Sequence, residues 1–298
     1  MNELALFAGI HGIGLGLKRA FKRRGLPFRT VCYVEWDDYC IEVLKSRIRD
    51  GMLDDAPIWG DIAAFDGRPW AGCVDIVTGG FPCQDLSFAG KGAGLEGERS
   101  GLFFELLRVV REVRPGIALL ENVPALLIRG FGRVAAEMAA SGYDLQWDCL
   151  PAAAVGAPHR RDRVFILAHA AEQSEREQAD EANPLAIEGG ARDESGNGGE
   201  DVSDAERERL EGYGRPEQCA GEQLVAASGS AFGTGEVAEF ARRVGVPQWA
   251  IEPDVGRVAD GVPARVDRIR ALGNAVVPQV AEYVGERLID WLYGSENG

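Results

Sequence analysis

Cys83 is the residue best placed to do chemistry. It lies in Asp75-Ile76-Val77-Thr78-Gly79-Gly80-Phe81-Pro82-Cys83-Gln84-Asp85-Leu86-Ser87, just past the carboxyl end of a short apolar run that reads as a strand. In open α/β sheets ligands collect at that edge. Pro82 and the neighbouring glycines hold the backbone in a defined turn, which presents the thiol instead of packing it. As a thiolate it is a potent nucleophile once its pKa is lowered. Glu121, in Ala118-Leu119-Leu120-Glu121-Asn122-Val123, ends a later strand and is expected at the same cleft. A strand-end Glu is ordinarily a solvated carboxylate. Beside a nucleophilic cysteine it becomes a candidate acid for a ring nitrogen, because a partly desolvated carboxyl holds its proton near neutral pH. The third group is His159-Arg160-Arg161-Asp162-Arg163-Val164. It is either a solvated charge run or a source of hydrogen bonds to a carbonyl of a bound ring.

A second set of residues points to a nucleotide. The strand Leu4–Phe7 runs into Ala8-Gly9-Ile10-His11-Gly12-Ile13-Gly14-Leu15-Gly16, with a helix expected from Leu15 or shortly after. Glycines there let backbone approach a ligand closely, and the helix N-terminus favours a polar or anionic group. The spacing misses G-x-G-x-x-G, which counts against NAD. Glu35 ends the next strand, where an acid binds ribose hydroxyls or is simply solvated. Trp36 beside it either stacks on an adenine or belongs to the core. Asp61, in Gly60-Asp61-Ile62 after a third short strand, is a candidate acceptor for an adenine amino group.

These residues must be positioned by the elements around them. Residues 1–168 alternate short apolar runs with amphipathic stretches, the signature of a mainly parallel, helix-covered sheet. The spacing predicts strands at Leu4–Phe7, Thr30–Glu35, Val74–Thr78, Ile117–Glu121, Gln146–Leu150 and Val164–Ala168. Leu102, Phe103, Leu106, Leu107, Val110 and Val113 fall at helical spacing after the Gly-rich stretch 90–101. From Glu172 to Gln223 the composition turns to Glu, Ala, Gly, Ser and Asp, as in a solvated insert. Order is expected to return near Phe240. Val276, Val277, Val280, Val284, Leu288 and Leu292 then form a helical stripe that must pack on something, most simply the first domain.

Composition bounds the class. The chain has 298 residues, 46% of them hydrophobic, and a net charge of −15. It lacks a long apolar run and a leader-like start, so a cytoplasmic location is expected. No two of the six cysteines form a C-x-x-C pair, which argues against a structural zinc site or a disulfide framework. The acidity looks wrong for a nucleic-acid binder. However, residues 169–248 carry 18 acidic and 7 basic residues, so most of the surplus sits there.

The order and spacing of these motifs resemble the cytosine-5 DNA methyltransferase family. The matching segments are Phe7-Ala8-Gly9, Glu35-Trp36, Gly60-Asp61-Ile62, Gly80-Phe81-Pro82-Cys83-Gln84, Glu121-Asn122-Val123, Arg161-Asp162-Arg163 and Leu272-Gly273-Asn274-Ala275-Val276-Val277. They cover residues 4–168 and roughly 255–290. The resemblance implies an α/β fold, a Rossmann-like S-adenosyl-L-methionine-dependent methyltransferase sheet with helices on both faces, plus a small target-recognition region. It implies a cytosine flipped out of double-stranded DNA and attacked at C6 by Cys83. Glu121 would protonate N3, Arg163 would hold the base carbonyl, Arg161 would support the site, and Asn274 would orient the base or Glu121. Phe7, Gly9, Glu35, Trp36, Asp61, Ile62, Leu102 and Ala275 would bind the cofactor, and no metal is implied. Ala89–Gly101, with Lys91 and Arg99, resembles a loop that closes over DNA. The chain departs from the family at His11 and Ala5, where glycine and an acid are common, and at His159 and Ala275, where glutamine and serine are.

The implied domains are 1–168 for catalysis and cofactor, 169–250 for target recognition, and 251–298 packing back on the first. Arg242, Arg243, Trp249, Arg257, Arg265, Arg268 and Arg270 are expected to contact DNA. A monomer is expected, with no membrane association, and a cognate restriction endonuclease is a candidate partner. The competing readings are a cytosine-5 tRNA methyltransferase and a DNA-binding protein without catalysis. An amino-group methyltransferase is disfavoured because the chain contains no Pro-Pro.

Overall fold

The structure, a computed structural model, describes residues 1–82, 101–171, 240 and 265–294, without the side chains of Arg265 and Ile269. Ala171 apart, these belong to one compact unit that draws on Met1–Ala170 and Ala227–Gly298. Cys83, the loop Ala89–Gly101 up to residue 100, the insert from Glu172, and Arg242, Arg243, Trp249 and Arg257 lie outside the described residues.

Seven strands form one sheet: β1 (Asn2–Leu6), β2 (Arg29–Val34), β3 (Ile58–Trp59), β4 (Ile76–Gly79), β5 (Ile117–Asn122), β6 (Tyr143–Pro151) and β7 (Asp162–Ala170). Their order is β3-β2-β1-β4-β5-β7-β6. The first five pair in parallel, and β7 runs antiparallel to both β5 and β6. The fold is therefore the Rossmann-like α/β sheet that the motif order implies. Strands buried on both faces read as nearly continuous apolar runs, which is why they stood out in the sequence.

Alternate residues feed the two faces. Leu4, Leu6, Val77, Ala118 and Leu120 pack with α3 (Gly101–Val113) and with α5 (Phe131–Ala140), which follows the short α4 (Ala125–Arg129). Ile76, Ile117, Leu119 and Phe165 pack with α1 (Gly12–Arg23) and with the last helix, α7 (Pro278–Tyr293). Ala5 and Tyr33 face α2 (Asp38–Arg49). Phe240 is buried, its ring centroid 5.3 Å from that of Tyr283 on α7.

Two differences from the sequence expectation concern α1 and α7. Helix α1 begins at Gly12, three residues earlier than expected, because His11 adopts a left-handed φ of 65° and its carbonyl accepts the Leu15 N–H. The glycines of this stretch mainly admit neighbours. A Cβ on Gly16 would stand 2.5 Å from both the Ala281 Cβ and the Pro278 carbonyl oxygen, while one on Gly12 would strike the Val276 carbonyl. Helix α7 begins only at Pro278, whose missing N–H suits a first helical position, so Val276 and Val277 of the apolar stripe precede it. Beyond the close approach, Arg23 pairs with Glu282, and Arg24 lies 3.4 Å from Glu286 and 3.0 Å from Asp290. Gly16→Val is expected to force α7 off α1 and to lower stability by about 2 kcal/mol, read from urea unfolding.

Candidate functional site

The carboxyl ends of β1, β2, β4 and β5 open onto a cavity of about 890 Å³. Phe7 and Gly9 follow β1, Glu35 and Trp36 follow β2, Asp61 and Ile62 follow β3, and Glu121 is the penultimate residue of β5; all line it. Leu102 of α3, Arg163 of β7, and Asn274 and Ala275 from the end of α6 (Arg265–Asn274) complete the sequence-derived set on its wall. Arg161 is not part of this lining. Pro82, the residue before Cys83, also lines the cavity.

The β1–β2 side is built to receive a nucleoside. Glu35 is buried, and its carboxylate accepts N–H groups from Gly9 (2.6 Å), Trp36 (3.0 Å) and Asp37 (2.8 Å). A carboxylate offers about four lone-pair sites, so roughly one remains for a ligand hydroxyl. Trp36 is 80% exposed, which removes it from the core and leaves its indole free to stack. Asp61 spends one oxygen on the Ala63 N–H at 2.9 Å. Three acids, Glu35, Asp37 and Asp61, face this part of the cavity. Phosphates are repelled there, whereas a cation carrying a ribose diol and an uncharged heterocycle is favoured. S-adenosyl-L-methionine, with its sulfonium and ammonium charges, fits that donor set.

At the other side the Glu121 carboxylate Oε1 lies 2.8 Å from Arg163 Nε. Burial pushes the Glu121 carboxyl up to about 7, outweighing the opposing pull of the Arg163 and Arg161 guanidiniums. Gly80 makes room for it, since a Cβ there would meet Glu121 Oε2 at 2.9 Å. Asn122, the next residue, donates to the Phe81 carbonyl at 3.1 Å and accepts the Val123 N–H at 2.8 Å. The end of β5 thus carries the carboxyl and holds Phe81, two residues before Cys83. Arg161 donates to the carbonyls of Gly273, at 2.6 Å, and Ala275, which sets the turn bearing Asn274 against β7.

Sequence reasoning missed two contributors. Arg270, expected at DNA, lines the cavity and lies 3.2 Å from Asp37, which itself caps α2 by accepting the Cys40 N–H. Asp37 had a legible signal in the Asp-Asp pair opening a helix, but its partner 233 residues on did not. Beneath the β1 turn lies a buried set, Glu3, His11, Thr30 and Thr78. Glu3 in Asn2-Glu3-Leu4 reads as an exposed strand end, and nothing local marks it as buried.

The family model for C-5 cytosine-specific DNA methylases matches residues 1–209. The type II methyltransferase M.Eco47II of Escherichia coli is 35% identical over 170 residues, which are 55% of this chain and 38% of that protein. The type II methyltransferase M.CviJI of Paramecium bursaria Chlorella virus IL3A is 35% identical over 168 residues, 56% of this chain and 42% of that protein. The match therefore spans well under half the length of these relatives. Among solved structures, that of the Entamoeba histolytica methyltransferase EhMeth covers 98% of each chain at a TM-score of 0.57 and 12% identity, a likeness of fold.

Proposed function

Because the chain belongs to the C-5 cytosine-specific DNA methylase family, we propose that it transfers a methyl group from S-adenosyl-L-methionine to C5 of a cytosine flipped out of double-stranded DNA. The observation that carries the reading is the buried Glu121 carboxyl, raised to about 7 and paired with Arg163, on the same cavity as the acid-lined nucleoside side. A cytosine ring needs both. Its C5 becomes nucleophilic only after a thiolate adds at C6 and N3 takes up a proton, and a carboxyl titrating near 7 can hold that proton ready.

In this reading the Cys83 thiolate forms the bond to C6 while Glu121 gives its proton to N3. Arg163 hydrogen-bonds the ring carbonyl and keeps Glu121 aimed at N3. The bound cofactor supplies an electrophilic methyl group on a sulfonium. Once C5 carries that methyl group, a base removes the C5 proton, N3 gives its proton back to Glu121 as the C6–sulfur bond breaks, and the thiolate returns. Arg161 holds the Gly273–Ala275 turn so that Asn274 faces the base. The segment 169–250 would read the target, with a cognate endonuclease as a candidate partner.

Incubation with methyl-labelled S-adenosyl-L-methionine and either duplex DNA or tRNA tests this. Label is expected in the duplex alone, at C5 of cytosines that bisulfite sequencing then locates. Label confined to tRNA, or binding of duplex with no transfer, would overturn it.

A further inference from the structure

We propose that His11 is a positioning residue for the cofactor: its buried side chain anchors the Phe7–His11 turn in the shape that the cofactor meets. The inference rests on the S-adenosyl-L-methionine reading above. The turn is tied at one end by Ala8 N–H to the Val34 carbonyl (3.1 Å) and Gly9 N–H to Glu35 (2.6 Å). At the other end the His11 N–H closes on the Ala8 carbonyl at 2.7 Å. The His11 side chain carries that end down into the core.

His11 holds φ 65° and ψ 40°, a conformation rare for residues with side chains and free to glycine. The backbone gains nothing from an imidazole here, so the reason lies in what the ring touches. Its Nε2 is 3.1 Å from Thr30 Oγ1 and 3.4 Å from Glu3 Oε2. The hydroxyls of Thr30 and Thr78 both donate to the Glu3 carboxylate at 2.7 Å. Each hydroxyl has one proton, so Thr30, having spent its own on Glu3, can only accept from His11. That fixes the ring as an Nε2–H donor. Burial lowers the His11 pKa against the opposing influence of Glu3, which keeps the ring neutral.

The ring is clamped as well as bonded. It stands edge-on to Tyr33, with centroids 4.9 Å apart and planes at 84°, and it covers Gly14, where any side chain would strike it. Phe7, Gly9, Ile10 and His11 all line the cavity, so a turn pinned from below presents a set shape before a ligand arrives. Such preorganisation raises affinity by sparing the ordering cost at binding.

Isothermal titration of the full chain with S-adenosylhomocysteine tests the proposal. His11→Gly, which suits the backbone but drops the anchor, is expected to weaken binding about tenfold or more. His11→Gln, which keeps a donor of similar reach, should restore it to within about threefold. Thr30→Val removes the same bond from the other end and should weaken binding in the same direction, which keeps the test sound if His11→Gly folds poorly. Duplex affinity should be unchanged in all three. Wild-type affinity in both His11→Gly and Thr30→Val, no rescue by His11→Gln, or an equal loss of duplex affinity would overturn the proposal. A wild-type chain that binds no S-adenosylhomocysteine would overturn the cofactor reading and this inference with it.

Discussion

Cys83→Ser is expected to lower methyl transfer by on the order of 10⁴-fold or more while leaving S-adenosylhomocysteine affinity within about twofold. The asymmetry follows from the division of the cavity. The acids and the indole that suit the cofactor follow β2 and β3, whereas the segment before Cys83 leaves β4 and is held at Phe81 by Asn122 of β5. A serine hydroxyl is far harder to ionise than a thiol and adds poorly to C6. The variant should therefore fill its cofactor site, bind duplex, and stop before the first bond forms.

A duplex carrying fluorine at C5 of the target cytosine gives a second readout of the same step. The final elimination needs a C5 proton, so fluorine there should leave the wild-type protein joined to DNA through sulfur. The joined species should survive denaturing electrophoresis, and Cys83→Ser should give none. Normal turnover by the serine variant, or an unchanged covalent band, would remove the basis of the proposed chemistry.

Much of the fold was legible because its strands are buried on both faces, so β1, β2, β4 and β5 announce themselves as apolar runs that give way to Gly, Asn or an acid. Residues at those ends were legible for the same reason: a chain that leaves a parallel sheet at its carboxyl edge has to face the cavity. The role of the glycines after β1 was not. Read alone, Gly12, Gly14 and Gly16 suggest close approach to a ligand, yet Gly12 and Gly16 lie one helical turn apart, where both admit the segment Val276–Glu282. That reading needs a partner more than 260 residues away, which local pattern cannot supply. Glu3 and His11 failed for a related reason. Their burial depends on Thr30 and Thr78 arriving from two neighbouring strands, and each residue by itself has the composition of a surface.

The second large effect concerns Glu121. Glu121→Gln is expected to lower the rate by about 10²–10⁴-fold, because the amide keeps a hydrogen bond to N3 but cannot give up a proton to it. Its pH dependence is the sharper test. Transfer requires Cys83 ionised and Glu121 protonated, so the wild-type rate should rise and then fall with pH. The fall comes from ionisation of Glu121, whose carboxyl burial has raised to about 7. In the glutamine variant the amide at position 121 does not ionise, so only the Cys83 ionisation remains and the residual rate should only rise. Stability moves in step. The folded protein holds this proton more tightly than an unfolded chain does, so the contribution is present at pH 5 and is lost as pH climbs through about 7. At 1.36 kcal/mol per pKa unit the loss is about 3 kcal/mol at most. Wild type should therefore lose stability between pH 5 and 8 relative to Glu121→Gln, measured by urea unfolding at each pH. Parallel curves for the two proteins, with the high-pH decline in rate intact in the variant, would exclude Glu121 as the proton donor to the ring.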